Sequence, residues 1–161
     1  MPYRHTDKGW FWGSKGPFKT KLQAIKVAKA AYASGFKESE EMTTSTPDFA
    51  LCLLHAVTNA HILHLRADTY AAHKALGHFY TDLGDLVDEY VEAYQGKYGK
   101  IMDYGNDYRA PGDSPIAYMI SLMEYVETSR EGLSDDSYLQ NIVDEITQLI
   151  ASTLNKLRHY K

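Results

Sequence analysis

From residue 46 onward, apolar positions return every three or four residues in four separate stretches, the spacing of amphipathic helices. The first opens at Thr46, read as an N-cap with Pro47 at the first helical position and Asp48 against the helix dipole, and runs to about Arg66. Its inward stripe is expected to include Leu54, Val57, His61, His64 and Leu65. A second stretch runs from about Tyr70 to Tyr98, with His73, Leu76, Tyr80, Leu83, Val87, Val91 and Tyr94 at helical spacing. Ser114-Pro115 repeats the cap-then-proline start for a third, whose apolar face carries Ile116, Met119, Ile120, Met123 and Val126 and which Gly132 stops. Ser134-Asp135-Asp136 opens a fourth, with Leu139, Ile142, Val143, Ile146, Leu149, Ile150, Leu154 and Leu157 inward. No alternating β pattern occurs beyond Met42.

The first forty residues read differently. Gly9-Trp10-Phe11-Trp12 is a short aromatic strand, residues 13–17 a turn, and Phe18 begins the return strand of a hairpin. Thr20 and Gln23 form a capping-box pair opening a helix whose apolar face holds Leu22, Ile25, Ala28, Ala31 and Tyr32, with Gly35 at its left-handed end. Residues 1–37 are thus a hairpin–helix module, 38–46 a polar linker and 47–161 a helical body.

Connection lengths bear on topology. The first and second helices, and the third and fourth, are joined by short turns and form antiparallel hairpins. Between the second and third lie about sixteen residues, 99–114, rich in Gly, Asp and Tyr, which extended could reach roughly 50 Å and cross the whole bundle. That predicts an all-α, ferritin-like four-helix bundle with one long crossover, preceded by a small β-hairpin plus helix. A plain up-down-up-down bundle with a loose loop is the alternative.

Composition adds limits. The chain has 161 residues, a single cysteine and no apolar run near the roughly 20 residues that span a bilayer. A disulfide framework and a Cys-based zinc site are excluded, and a protein of the cytoplasm, or within a phage particle, is expected without a membrane partner. Cys52, beside Leu51, Leu53 and Leu54, reads as a buried packing residue. The net charge of −4 divides unevenly: residues 1–41 carry eight Lys or Arg against four acids, +4, and residues 42–161 nine against seventeen, −8. Lys15, Lys19, Lys21, Lys26 and Lys29, with Trp10 and Trp12, are candidate contacts to DNA or another acidic partner. No P-loop, dinucleotide fingerprint, HExxH or nucleophile elbow is present.

Candidate chemistry concentrates in the first two helices of the body. Five histidines (His55, His61, His64, His73, His78) fall within 24 residues, and Asp82, Asp85, Asp88, Glu89 and Glu92 follow. Imidazole with carboxylate is a ligand set for iron, zinc or manganese. Glu124, Glu127, Asp144 and Glu145 lack the Glu-x-x-His partners of a di-iron core and read as surface charges. Tyr90, Tyr94 and Tyr98, four apart, read as a packed stripe or subunit contact.

His61, His73, Asp88 and Glu92 stand at offsets 0, 12, 27 and 31, a spacing that resembles the ferroxidase pattern of the Dps-type mini-ferritins, with Tyr80 where that family often carries a bulky residue. The resemblance covers about residues 51–99. It implies iron as the bound ion, Fe(II) oxidation, DNA protection, and a homo-oligomer built from two-fold dimers, with a dodecamer among its sizes. His61 and His73 would be ligands from one subunit, Asp88 and Glu92 from its partner. Geometry independently supports the sharing: His73 and Asp88 are about 22 Å apart along one helix. The chain departs from the family pattern where Ile62-Leu63-His64-Leu65-Arg66 follows the first histidine, and where Gly77 replaces a common acid; His64 and His78 are the accessory candidates. The N-terminal module loosely resembles aromatic hairpin–helix modules of tailed-phage proteins. The rival expectation is therefore a non-catalytic, phage-type assembly or packaging protein that uses the bundle as scaffold and the module for docking.

Overall fold

A computed structural model of the chain describes residues 3–6, 8–12, 15–23, 25–26 and 44–160. It divides into two compact units, Met1–Met42 and Thr43–Lys161.

The described residues of the first unit hold three strands where the sequence pattern predicts two. Strands β1 (Tyr3–Thr6), β2 (Gly9–Trp12) and β3 (Lys15–Phe18) form an antiparallel meander in the order β1-β2-β3. Register runs from Tyr3↔Trp12 to Thr6↔Gly9, then Trp10↔Phe18 and Trp12↔Lys15, with a shift between those last pairs. The return strand begins at Lys15, inside the expected turn, and Pro17 is tolerated because β3 is an edge. Gly9 has φ +127°, and a Cβ there would lie 2.7 Å from the Phe18 carbonyl oxygen, so only glycine fits. The Thr20–Gln23 capping box forms as expected: each backbone N–H is accepted by the other side chain at 3.3 Å. Leu22, expected on an apolar face, is 62% exposed. The expected helix beyond Lys26, with Ala28, Lys29, Ala31, Tyr32 and Gly35, lies outside the described residues, as do residues 38–43 of the expected linker.

The second unit is four helices around one core: α1 (Thr46–Leu65), α2 (Tyr70–Tyr98), α3 (Pro115–Ser129) and α4 (Ser137–His159). A 3-10 turn, Arg130–Gly132, follows α3. Their starts are chemically specified. Ser45, one residue before the expected cap, accepts the Asp48 N–H; Thr69 and Ser114 do the same for Ala72 and Ala117. α1 packs on α2, α2 on α4, α4 on α3, and α3 back on α1.

Contacts at the ends fix directions. α3 starts beside Leu63 and Arg66 at the end of α1 and finishes at α1's beginning, where the Tyr125 hydroxyl donates to the Asp48 carbonyl at 3.3 Å and Ser129 to Thr44 at 3.1 Å. α3 is therefore antiparallel to α1 and parallel to α2. Residues 99–114 cover that length along α1: the Ile101 N–H donates to Gln95, the Arg109 carbonyl accepts from Asn59, and Asp113 lies 3.8 Å from Arg66.

The core face of α4 follows the expected stripe, with Leu139, Ile142, Val143, Ile146, Ile150 and Leu154 buried and Leu149 and Leu157 partly so. On α3 Met119 and Val126 are buried as expected, Leu122 joins them unexpectedly, and Ile116, Ile120 and Met123 are partly buried against the core. On α2 the buried set is Ala75, Leu76, Phe79, Leu83, Val87 and Tyr90, so His73, Tyr80, Val91 and Tyr94 flank the core. α1 departs most. Phe49, Ala50, Leu53, Ala56, Ala60 and Leu63 are buried, whereas Leu54 and Leu65, expected inward, are 41% and 72% exposed. The helix is turned by one residue, about 100°, from the expected orientation. Among the described residues no helix is long and apolar enough to cross a membrane.

Candidate functional site

Three of the five clustered imidazoles meet where α1 ends and α2 begins. The short turn folds α2 back on α1 and brings His61 and His64 of the last α1 turns beside His73 of the first α2 turn. The His64 and His73 rings stack with centroids 3.7 Å apart and planes 26° from parallel. His61 stacks on Tyr80 at 4.4 Å and stands 5.8 Å from His64, its plane inclined by 59°. His55 and His78 lie apart: the His55 ring meets Tyr108 edge-on at 5.0 Å, and His78 is exposed without a ring contact among the described residues.

Hydrogen bonds set the ring states. His64 Nδ1 lies 2.7 Å from the His73 carbonyl, and His73 Nδ1 3.2 Å from the His64 carbonyl. A carbonyl only accepts, so each Nδ1 carries a proton and donates, which leaves the Nε2 lone pair of a neutral ring free. The same bonds satisfy an end carbonyl of α1. Gly77 makes room: a Cβ there would lie 3.3 Å from His64 Cε1 and Nδ1.

Ligand geometry separates the three rings. A metal about 2.1 Å from a ring nitrogen sits in the ring plane, about 3 Å from its centre. Planes only 26° apart do not meet that close, so stacked His64 and His73 cannot chelate one ion as they stand. The His61 and His64 rings, 5.8 Å apart and inclined by 59°, are not stacked, so that bar does not apply to them. Asp88 and Glu92 are exposed on α2, four residues apart on one face, and neither makes an ion pair among the described residues. They are not brought to the imidazoles within one chain, and no group of three or more His, Cys, Asp or Glu among the described residues is arranged to hold a metal.

A second feature was not read from the sequence. The crossover roofs a cavity of about 450 Å³ between α1 and α3. Its anchor is Asn59, only 4% exposed: its amide donates to the Arg109 carbonyl at 3.0 Å and the Tyr118 hydroxyl at 3.2 Å, and its carbonyl accepts from Tyr108 at 2.8 Å. Burial pushes the Tyr118 phenol up to about 12 and also raises Tyr125. Cys52, expected to be core packing, instead lines this cavity half-buried, and burial raises its thiol. A signal was present: Cys52, His55 and Asn59 stand at offsets 0, 3 and 7 on one face of α1, opposite the phenols of α3.

Of the basic candidates, Lys19, Lys21 and Lys26 are exposed, and Lys21 Nζ lies 5.4 Å from the Trp10 ring centre. Lys15 and Trp12 are placed in β3 and β2 by their backbones; Lys29 lies outside the described residues. Glu124, Glu127, Asp144 and Glu145 are exposed as expected, Asp144 pairing with Arg130 at 2.6 Å.

A family model described as "Family of unknown function (DUF5856)" matches residues 64–157. That span takes in His64, His73, Asp88 and Glu92 and stops short of His61. No curated protein and no solved structure matches the chain.

Proposed function

The chain belongs to the DUF5856 family, whose function is not known, and we propose that it is a ferritin-like, iron-binding protein whose metal sites are split between two copies. In this reading two chains pair antiparallel across their α1–α2 flanks. His61 and His64 of one copy then face Asp88 and Glu92 of the other, and two-fold symmetry closes two identical sites. The His73 carbonyl positions His64 by accepting the hydrogen bond from its Nδ1, which leaves Nε2 directed at the ion. Fe(II) is the substrate; the carboxylates favour the ferric product, and the electron passes to dissolved oxygen.

The observation that carries the reading is the His64 ring, whose tautomer is set by the His73 carbonyl and which stands 5.8 Å from the His61 ring, inclined to it by 59°. Two further features support it. Helices α2 and α3 run parallel, joined by a crossover along the bundle, which is the ferritin-like connection. Leu54, His61 and Leu65 share one face of α1 and are exposed, an apolar surface suited to a partner. DNA contact would fall to Lys19, Lys21 and Lys26 of the basic unit, and higher assembly to further two-fold dimers.

Mixing variants tests the split site. His64→Ala and Asp88→Ala should each abolish anaerobic Fe(II) binding and oxygen consumption. Co-refolded in equal amounts, they should recover about a quarter of the sites, because each mixed dimer keeps one intact pairing. A protein that stays monomeric with Fe(II) bound, or a mixture with no recovery, sinks the proposal. The non-catalytic scaffold reading then stands, favoured by the lack of a three-ligand group within the described residues of one chain.

A further inference from the structure

The geometry points to a second, independent site: the cavity under the crossover binds a small aromatic molecule that bears one polar substituent and no negative charge. At about 450 Å³ it falls within the range of roughly 300–1,000 Å³ usual for small-molecule sites. Its walls combine apolar side chains, Leu122 and Pro111 among them, with the rings of His55, Tyr118 and Tyr125. Such walls favour a flat ring, which meets aromatic edges and faces at low cost in ordering.

Polarity selects against an anionic occupant. Arg109 is paired with Asp107 at 3.3 Å, and Asp48 has only the neutral Ser45 hydroxyl, at 2.5 Å, as a side-chain partner among the described residues, so the charged groups of the lining sum to one negative charge. Both phenols and the thiol stay protonated at neutral pH, because burial raises each of them. A carboxylate entering here would lose its water against a lining of net negative charge. A hydroxyl or ring N–H has partners waiting: the side chains of His55 and Ser121 make no hydrogen bond among the described residues. The roof is built before any ligand arrives, since Asn59 ties residues 108 and 109 of the crossover to α1 and α3 through three hydrogen bonds. None of these groups belongs to the proposed metal site.

The chain supplies its own reporter, because Cys52 is its single cysteine and lines the cavity. The full-length, metal-free protein is alkylated with iodoacetamide in the presence of 1-naphthol, indole or, as the charged counterpart, 1-naphthoate. At ten times its dissociation constant a neutral probe should slow alkylation about tenfold, while naphthoate leaves the rate unchanged. Equilibrium dialysis should find one naphthol per chain, and it decides the matter if Cys52 proves inert to the reagent. Ser121 is exposed at the cavity rim, so Ser121→Trp fills the space without entering the core and should abolish both protection and binding at unchanged helicity. Absence of naphthol binding, equal binding of naphthoate, or binding that survives in Ser121→Trp overturns the inference.

Discussion

At the α1–α2 corner the absence of one side chain decides where an imidazole sits. Gly77 lies in the interior of α2, where alanine would ordinarily add up to about 1 kcal/mol of helix stability. A Cβ there would meet His64 Cε1 and Nδ1 at 3.3 Å, so the ring that bonds the His73 carbonyl must give by a few tenths of an ångström. Gly77→Ala should therefore leave the melting temperature equal or higher while weakening cobalt(II) or iron(II) binding several-fold; unchanged metal affinity would remove His64 from the site. Asn59 is the opposite case, a buried polar side chain satisfied on both its amide and its carbonyl. Asn59→Ala removes three hydrogen bonds, to the Arg109 carbonyl and the Tyr118 and Tyr108 hydroxyls, and should cost about 2 kcal/mol, read as a melting point lower by several degrees. The sequence shows Gly77 only as a departure from a family pattern, and Asn59 only as sharing a face of α1 with Cys52 and His55; the partners of both are set by other elements.

Helix ends carry more of their design in local sequence. Ser45, Thr69 and Ser114 each offer a side-chain oxygen to a first-turn N–H, and two of the three caps are followed within two residues by proline. Ser45→Ala should destabilise the body by about 1 kcal/mol, and Ser45→Asn should restore most of it; denaturant unfolding of the two variants measures both. The junction between α2 and α4 adds an electrostatic element. Asp136 takes an ion pair from Lys97 at 2.5 Å and a hydrogen bond from the Tyr98 hydroxyl at 2.7 Å, which hold its carboxyl at about 2, below the ordinary 3.8. A carboxylate lowered in the folded state stabilises fully above the unfolded value and loses that contribution as pH falls through the folded one. Acid titration by circular dichroism should show wild-type stability dropping between pH 3.8 and 2, with a flatter profile for Asp136→Asn.

Across the whole molecule, charge is divided between two units, and the division has a measurable consequence. If the basic unit contacts DNA, the exposed Lys19, Lys21 and Lys26 neutralise phosphates. Changing all three to glutamate should then lower the slope of log affinity against log salt by about 0.9 for each phosphate no longer neutralised, with little change in the melting of the body. A slope unaffected by the triple change excludes that surface.

Existence, type and order of the body's helices were legible in sequence because capping, proline placement and 3.6-residue periodicity are local signals. α4 shows this best: its polar and apolar faces are cleanly separated, and its expected stripe is the one found buried. α1 shows the limit. With Leu51, Leu53, Leu54, Leu63 and Leu65 flanking small alanines, either of two faces could serve as the inner one, and only packing against α2 and α3 selected Phe49, Leu53, Ala60 and Leu63. The third strand escaped notice because Tyr3–Thr6 is four residues long and gains its meaning from pairing with β2.

Sequence alone thus determined which segments are helical, where they start and which residue types are available for chemistry, since those properties depend on neighbours a few positions away. Tertiary structure decided that His64 stacks on His73 while standing inclined to His61, and that the crossover roofs a cavity over Cys52. Each of these is a relation between residues on different elements, and such relations arise only when the elements pack.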